Sequence, residues 1–151
     1  MQTLSGIHHL TSLTADMDRL IGFYERVFDA RVTLDIEEEG LRHTFIELGP
    51  NTVLHPFQLT GLEVRQGEIP MFQRGRIDHF GLNAASEEAF GELRRRVMAE
   101  GAGDGLVTDM GSLLSFSFTD PDGLGLEVMW VKPGVPVEST RRRADWTTVE
   151  A

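Results

Sequence analysis

A strand-helix-strand-strand-strand pattern occurs twice in this 151-residue chain, at an offset of 70 residues. A duplicated supersecondary unit restricts the possible folds more than any composition statistic. In the first copy, "GIHHLTSLT" is rich in Ile, Leu and Thr and reads as a strand. Asp16 offers an N-cap. Met17, Leu20, Ile21, Tyr24, Val27 and Phe28 then recur at spacings of three and four, the apolar face of a helix of about three turns. "RVTLDI", "LRHTFIEL" and "TVLHPFQL" follow as strands, separated by the turns "EEEG" and "GPN". In the second copy "RIDHFGLNA" is the strand and Ser86 the cap, and Phe90, Leu93, Val97 and Met98 share a helix face. "GLVTDM", "LLSFSFTD" and "LGLEVMW" complete it, the last two joined by "DPDG". The chain therefore divides into one domain over 1–132, made of module one (4–60), a polar linker (61–76) and module two (77–132), and a polar tail over 133–151. The predicted fold is α+β: two tandem βαβββ modules forming an incomplete eight-stranded barrel, with one helix outside each half.

Superposing the two copies sorts the histidines. Adjacent strand residues point to opposite faces, so at most one of His8 and His9 looks into a given site. His9 falls on His79, whereas His8 falls on Asp78, and the match selects His9. On the last strands His55 falls opposite Glu127. His9 and His55 are 46 residues apart, and His79 and Glu127 are 48 apart, so each copy carries one donor on its first strand and one on its last. Three neutral imidazoles and a carboxylate suit Fe, Ni, Co, Zn or Mn better than Mg or Ca. The predicted metal ligands are His9, His55, His79 and Glu127.

Strand parity extends the site. A tight "DPDG" hairpin pairs Phe116 with Glu127 and puts Phe116, Phe118, Glu127 and Met129 on one face. The same construction in module one puts Thr44, Ile46, His55 and Phe57 inside and sends His43 to the other face. Thr44, Ile46, Phe57, Phe116, Phe118 and Met129 are the predicted substrate-binding residues, with Arg42 a candidate anion contact. A carboxylate on a face with two Phe and a Met is costly unless something such as a metal pairs with it.

The formal charge of −10 disfavours a nucleic-acid partner, and the lack of cysteine rules out disulfides and thiolate metal sites. No apolar run reaches the roughly 20 residues of a membrane helix, and the first residues lack the pattern of a signal peptide. A cytoplasmic location is expected.

"IHHLTSLTADMDRLIGFYERVF", "IDHFGLN" and "FSFTDPDGLGLEVMW" resemble the vicinal oxygen chelate superfamily over about residues 4–132. That group includes glyoxalase I, methylmalonyl-CoA epimerase, extradiol dioxygenases, fosfomycin-resistance enzymes and bleomycin-binding proteins. In its metal-using members the ligands lie on the first and last strands of each module, which carries over to His9, His55, His79 and Glu127. His55 stands where common ligand sets have Glu or Gln, and Ser117 where the extradiol motif has Tyr. The subset His9, His79 and Glu127 keeps a 2-His-1-carboxylate pattern. The resemblance implies a metal-dependent enzyme that chelates vicinal oxygens of a small substrate, of isomerase, epimerase, lyase or dioxygenase type. Glu127 or His55 would then act as a displaceable ligand and proton acceptor. The alternative is a metal-free protein that sequesters an aromatic antibiotic or natural product. Open sheet edges, together with the resemblance, point to a homodimer.

Overall fold

The computed structural model describes residues 3, 6–64, 69–136, 139–140 and 142–149, which fall into two units, 1–67 and 68–151. Module one runs β1 (His9–Leu13), α1 (Met17–Phe28), β2 (Arg31–Glu38), β3 (Leu41–Gly49) and β4 (Thr52–Leu59). Its sheet has the order β1-β4-β3-β2, with β1 parallel to β4 and the other pairs antiparallel. A parallel pair needs a long crossover between its strands. Here α1, β2 and β3 supply it, and α1 packs on β3 and β4. The Asp16 side chain caps α1 by accepting from the Arg19 N–H at 3.0 Å. Met17, Leu20, Phe23, Tyr24 and Val27 form the buried stripe.

Module two repeats the plan with β5 (Phe80–Asn83), α2 (Glu87–Ala99), β6 (Val107–Asp109), β7 (Leu113–Thr119) and β8 (Gly125–Val131). Ser86 caps α2 through the Ala89 N–H at 3.1 Å, and Phe90 and Val97 are buried. β5 runs parallel to β8. The tail departs from the expected outlying segment. β9 (Thr147–Val149) pairs antiparallel with β6, which makes the sheet five-stranded, β5-β8-β7-β6-β9. Nine strands are therefore present among the described residues rather than eight, arranged as two mixed sheets. The expected linker also contributes, since its residues from 69 onward belong to the second unit. In the tail, Arg141 lies outside the described residues. No helix among the described residues is long and apolar enough to cross a membrane.

Two turns differ from the expected geometry, and each reverses a set of faces. In module one a bulge at Leu48 gives β3 one residue more than a plain hairpin, because Gly49 pairs with Thr52 but Glu47 with Val53. Ile46 then pairs with Leu54, and His43 with Phe57. Thr44 and Ile46 are wholly buried, and the Thr44 hydroxyl lies 3.4 Å from the Met17 sulfur of α1. They belong to the core under the helix and not to a substrate face, and His43 takes the place given to them. In module two the β7–β8 turn holds five residues, 120–124, so Thr119 pairs with Gly125 and Ser117 with Glu127. Asp120 stabilises the longer turn by accepting from the N–H groups of Asp122 and Leu124, and Gly123 supplies the φ of +84°. Phe116 and Phe118 therefore pair with Val128 and Leu126 on the helix side. Both are at most 3% exposed, and the Phe116 ring packs edge-to-face on Phe90 of α2. Their rings pack in the core instead of sharing the face of Glu127 and Met129, which Ser115 and Ser117 occupy, although Phe116 still contributes to the lining of the module-two cleft. Arg42 bonds to Asp35 and Asp18, so its charge is already matched by two carboxylates.

Candidate functional site

On the open face of module one the side chains of His9, His43, Phe45, His55 and Phe57 meet. The His9 and His55 ring centroids are 5.2 Å apart, Phe45 meets His55 edge-on at 4.5 Å, and His43 stacks on Phe57 at 5.3 Å. Nδ1 of His43 lies 3.0 Å from Nε2 of His55. The other ring nitrogen of His55 is buried with no hydrogen-bond partner among the described residues. Burial, then the neighbouring His43 and His9, hold the His55 imidazole below its ordinary pKa of 6.5. A neutral imidazole with an unsatisfied buried nitrogen suits coordination of a cation.

β1 begins at His9, so strand alternation does not reach His8. Its Nδ1 lies 2.9 Å from that of His9, on the same side rather than on the opposite face. Module one has a depression of about 600 Å³ at the β3–β4 turn, beside Glu47, Pro50 and Asn51. His8 lines it, but His43 and His55 do not.

Module two arranges its donors around one carboxylate that sequence reading passed over. Asp78 takes the Phe72 N–H on one oxygen and lies 2.9 Å from Nδ1 of His79 with the other. The hydrogen bond from His79, then those of the Phe72 N–H and the nearby Arg74 charge, hold the Asp78 carboxyl below its usual pKa. An ionised carboxylate only accepts, so His79 Nδ1 donates. In the neutral ring the unshared pair then lies on Nε2, which is 3.8 Å from Oε2 of Glu127. Two ligand atoms each about 2 Å from one ion lie roughly 3 Å apart, close to this spacing. A carboxylate behind a histidine that fixes its tautomer is the usual support of a metal-ligating imidazole. The signal in the sequence is an acid directly before a candidate ligand.

Gly81, opposite Glu127 in the sheet, leaves the space taken by the Met129 methyl, 2.9 Å from where a Cβ would stand. Beside this pair a cleft of about 450 Å³ opens over His79, Glu127, Ser115 and Ser117. Imidazole nitrogens and one carboxylate fit a borderline divalent ion by donor chemistry. Among the described residues, however, no group of three or more His, Asp or Glu side chains converges closely enough to hold a metal. Each module offers a pair: His9 with His55, and His79 with Glu127.

A family model described as the Glyoxalase/Bleomycin resistance protein/Dioxygenase superfamily matches residues 6–128. No curated protein sequence matches the chain. Among solved structures, it is similar to a glyoxylase/bleomycin resistance protein/dioxygenase domain from Frankia sp. EAN1pec, with 19% identity, a TM-score of 0.74, and 88% of this chain and 96% of that one covered. It is also similar to the fosfomycin resistance protein FosX from Listeria monocytogenes, complexed with Mn(II) and sulfate, at 16% identity and a TM-score of 0.62, covering 87% of this chain and 96% of that one. FosX from Mesorhizobium loti shares 22% identity at a TM-score of 0.59, with 90% and 97% covered. Identities this low speak for the fold.

Proposed function

The chain belongs to the Glyoxalase/Bleomycin resistance protein/Dioxygenase superfamily, and from that premise we propose that it is a metal-dependent, glyoxalase-like enzyme acting on a small substrate through two adjacent oxygens. The observation that carries this reading is the Asp78–His79–Glu127 arrangement, in which a held tautomer directs a nitrogen lone pair toward a carboxylate. His9, His55, His79 and Glu127 are the residues that would hold the ion, and FosX with Mn(II) gives a precedent on this fold. When bound, a divalent ion supplies Lewis acidity that stabilises negative charge on a substrate oxygen.

The protein's own groups do the rest. Asp78 holds a proton on His79 Nδ1 and so keeps Nε2 free. Glu127, half-buried beside the cleft, would accept a proton from a carbon next to a carbonyl once the substrate displaces it as a ligand. Ser115 and Ser117 offer hydroxyls to substrate oxygens on the same face. Isomerisation, epimerisation and elimination beside a carbonyl can each begin with that proton transfer. His55 is the second candidate for the role in module one. Phe57 and Met129 remain the proposed apolar contacts. The working unit in this reading is a homodimer in the cytoplasm.

Protein purified without added metal and analysed for elements should carry about one Fe, Ni, Co, Zn or Mn per chain, or take up Mn(II) in equilibrium dialysis. His79→Ala and Glu127→Gln should abolish uptake, and Asp78→Asn should weaken it about 10- to 100-fold, the usual cost of losing a supporting carboxylate. Sedimentation of the same sample should give twice the monomer mass. Absence of metal and of Mn(II) uptake would falsify the enzyme reading. It would favour the second reading, a metal-free binder of an aromatic antibiotic or natural product, which the lack of a three-donor cluster among the described residues supports.

A further inference from the structure

Ser115 is 3% exposed, lies on the floor of the module-two cleft, and its hydroxyl has no hydrogen-bond partner among the described residues. A buried hydroxyl left unpaired costs free energy unless something supplies a partner. The cleft that it lines is open, about 450 Å³, a size that holds a small organic molecule. Its walls come from segments outside the duplicated pattern. From the tail, Trp146 and Arg143 line it, and from the former linker, Phe72 does. The Arg143 guanidinium lies 5.7 Å over the Phe72 ring, which ties the two cleft-lining segments together. β9 follows Trp146 immediately and anchors it through pairing with β6. Leu106 and Met110, on either side of β6, continue the apolar wall.

We propose that the tail forms a specificity wall, and that the cleft takes a planar aromatic molecule, its ring against Trp146 and its oxygen-bearing end directed to Ser115, His79 and Glu127. Aromatic rings have large apolar faces that a Trp covers well, and the polar atoms needed for the other end are all on the floor. The proposal rests on the enzyme reading only for the chelating end of the ligand. The aromatic end depends on Trp146 alone.

Benzohydroxamate and acetohydroxamate separate the two ends, because they share a chelating head and differ by the ring. Each is titrated calorimetrically into the full chain, once loaded with Mn(II) and once after EDTA treatment. The Mn(II)-loaded protein should bind benzohydroxamate about tenfold more tightly than acetohydroxamate, the scale of losing one ring-on-aromatic stack. Trp146→Ala should remove that preference and leave acetohydroxamate binding unchanged, and Trp146→Phe should restore most of it. Ser115→Ala should weaken both probes several-fold. Thermal midpoints within a few degrees of the parent establish that the variants fold. Equal preference in the parent and in Trp146→Ala overturns the proposal, as does failure of benzohydroxamate to bind in either metal state. If the ring preference and its loss in Trp146→Ala persist after EDTA, the wall stands and the metal reading alone falls.

Discussion

Module one and module two are the same strand-helix-strand-strand-strand unit, yet one open face is filled and the other is hollow. The difference lies in a few side chains at matching positions. Where β3 offers His43 and Phe45, β7 offers Ser115 and Ser117, and where β1 carries Thr11, β5 carries the short strand with Gly81. In module one the rings of His43, Phe45, His55 and Phe57 pack on one another at centroid distances of 4.4–5.3 Å. In module two hydroxyls and a glycine leave room, and the cleft forms above the His79–Glu127 pair. Side-chain volume on the sheet face, together with the linker and tail residues Phe72, Arg143 and Trp146, therefore opens a cleft over the His79–Glu127 pair of module two.

The largest test of this contrast is Phe116→Ala. With its ring on the helix side and 2% exposed, its truncation should cost about 3–5 kcal/mol of stability, read by urea denaturation. Ser117→Phe makes module two resemble module one by placing a ring opposite Glu127. It should lower benzohydroxamate affinity about 10- to 100-fold, the effect of crowding a site by the volume of a ring, while the exposed position keeps stability within about 1 kcal/mol. The smallest effect is on pH dependence: both modules lose stability on acidification, but in different pH windows. His55 in module one is held below 6.5, so the unfolded chain takes up its proton first, and stability falls as metal-free protein is acidified through that value. Asp78 in module two is held below 3.8, so its contribution is present above that value and is lost only in more acid solution. Thermal midpoints measured against pH in EDTA should show the upper step flattened by His55→Asn and the lower by Asp78→Asn. An unchanged upper step in His55→Asn would contradict the burial-driven shift.

The duplication, both helices and both caps were legible in the sequence because periodicity and capping are local properties. The pairing of His9 with His55 and of His79 with Glu127 was legible because the copies could be superposed. What the sequence hid was parity. A one-residue bulge at Leu48 and a turn one residue longer than a tight hairpin have no periodic signal, and each exchanged the two faces of a strand. Thr44, Ile46, Phe116 and Phe118 lie on the helix side for that reason, and His43, Ser115 and Ser117 take the opposite face. His8 and Asp78 were misread for a different cause: both precede their strands, where alternation no longer governs direction. β9 is three residues long and too short for any pattern to announce it.

The turn at 120–124 has a further consequence for how this chain can vary over evolutionary time. Surface loops ordinarily tolerate insertions and deletions. Here the Asp120 carboxylate, 5% exposed, fixes the number of residues by bonding to two backbone N–H groups within the loop. Deleting one residue would turn Phe116 and Phe118 outward and drive Ser115 and Ser117 under α2, exchanging a hollow for an oily surface in a single mutational event. Among descendants of this chain, the length of that loop should therefore be held more tightly than the identity of most residues in it.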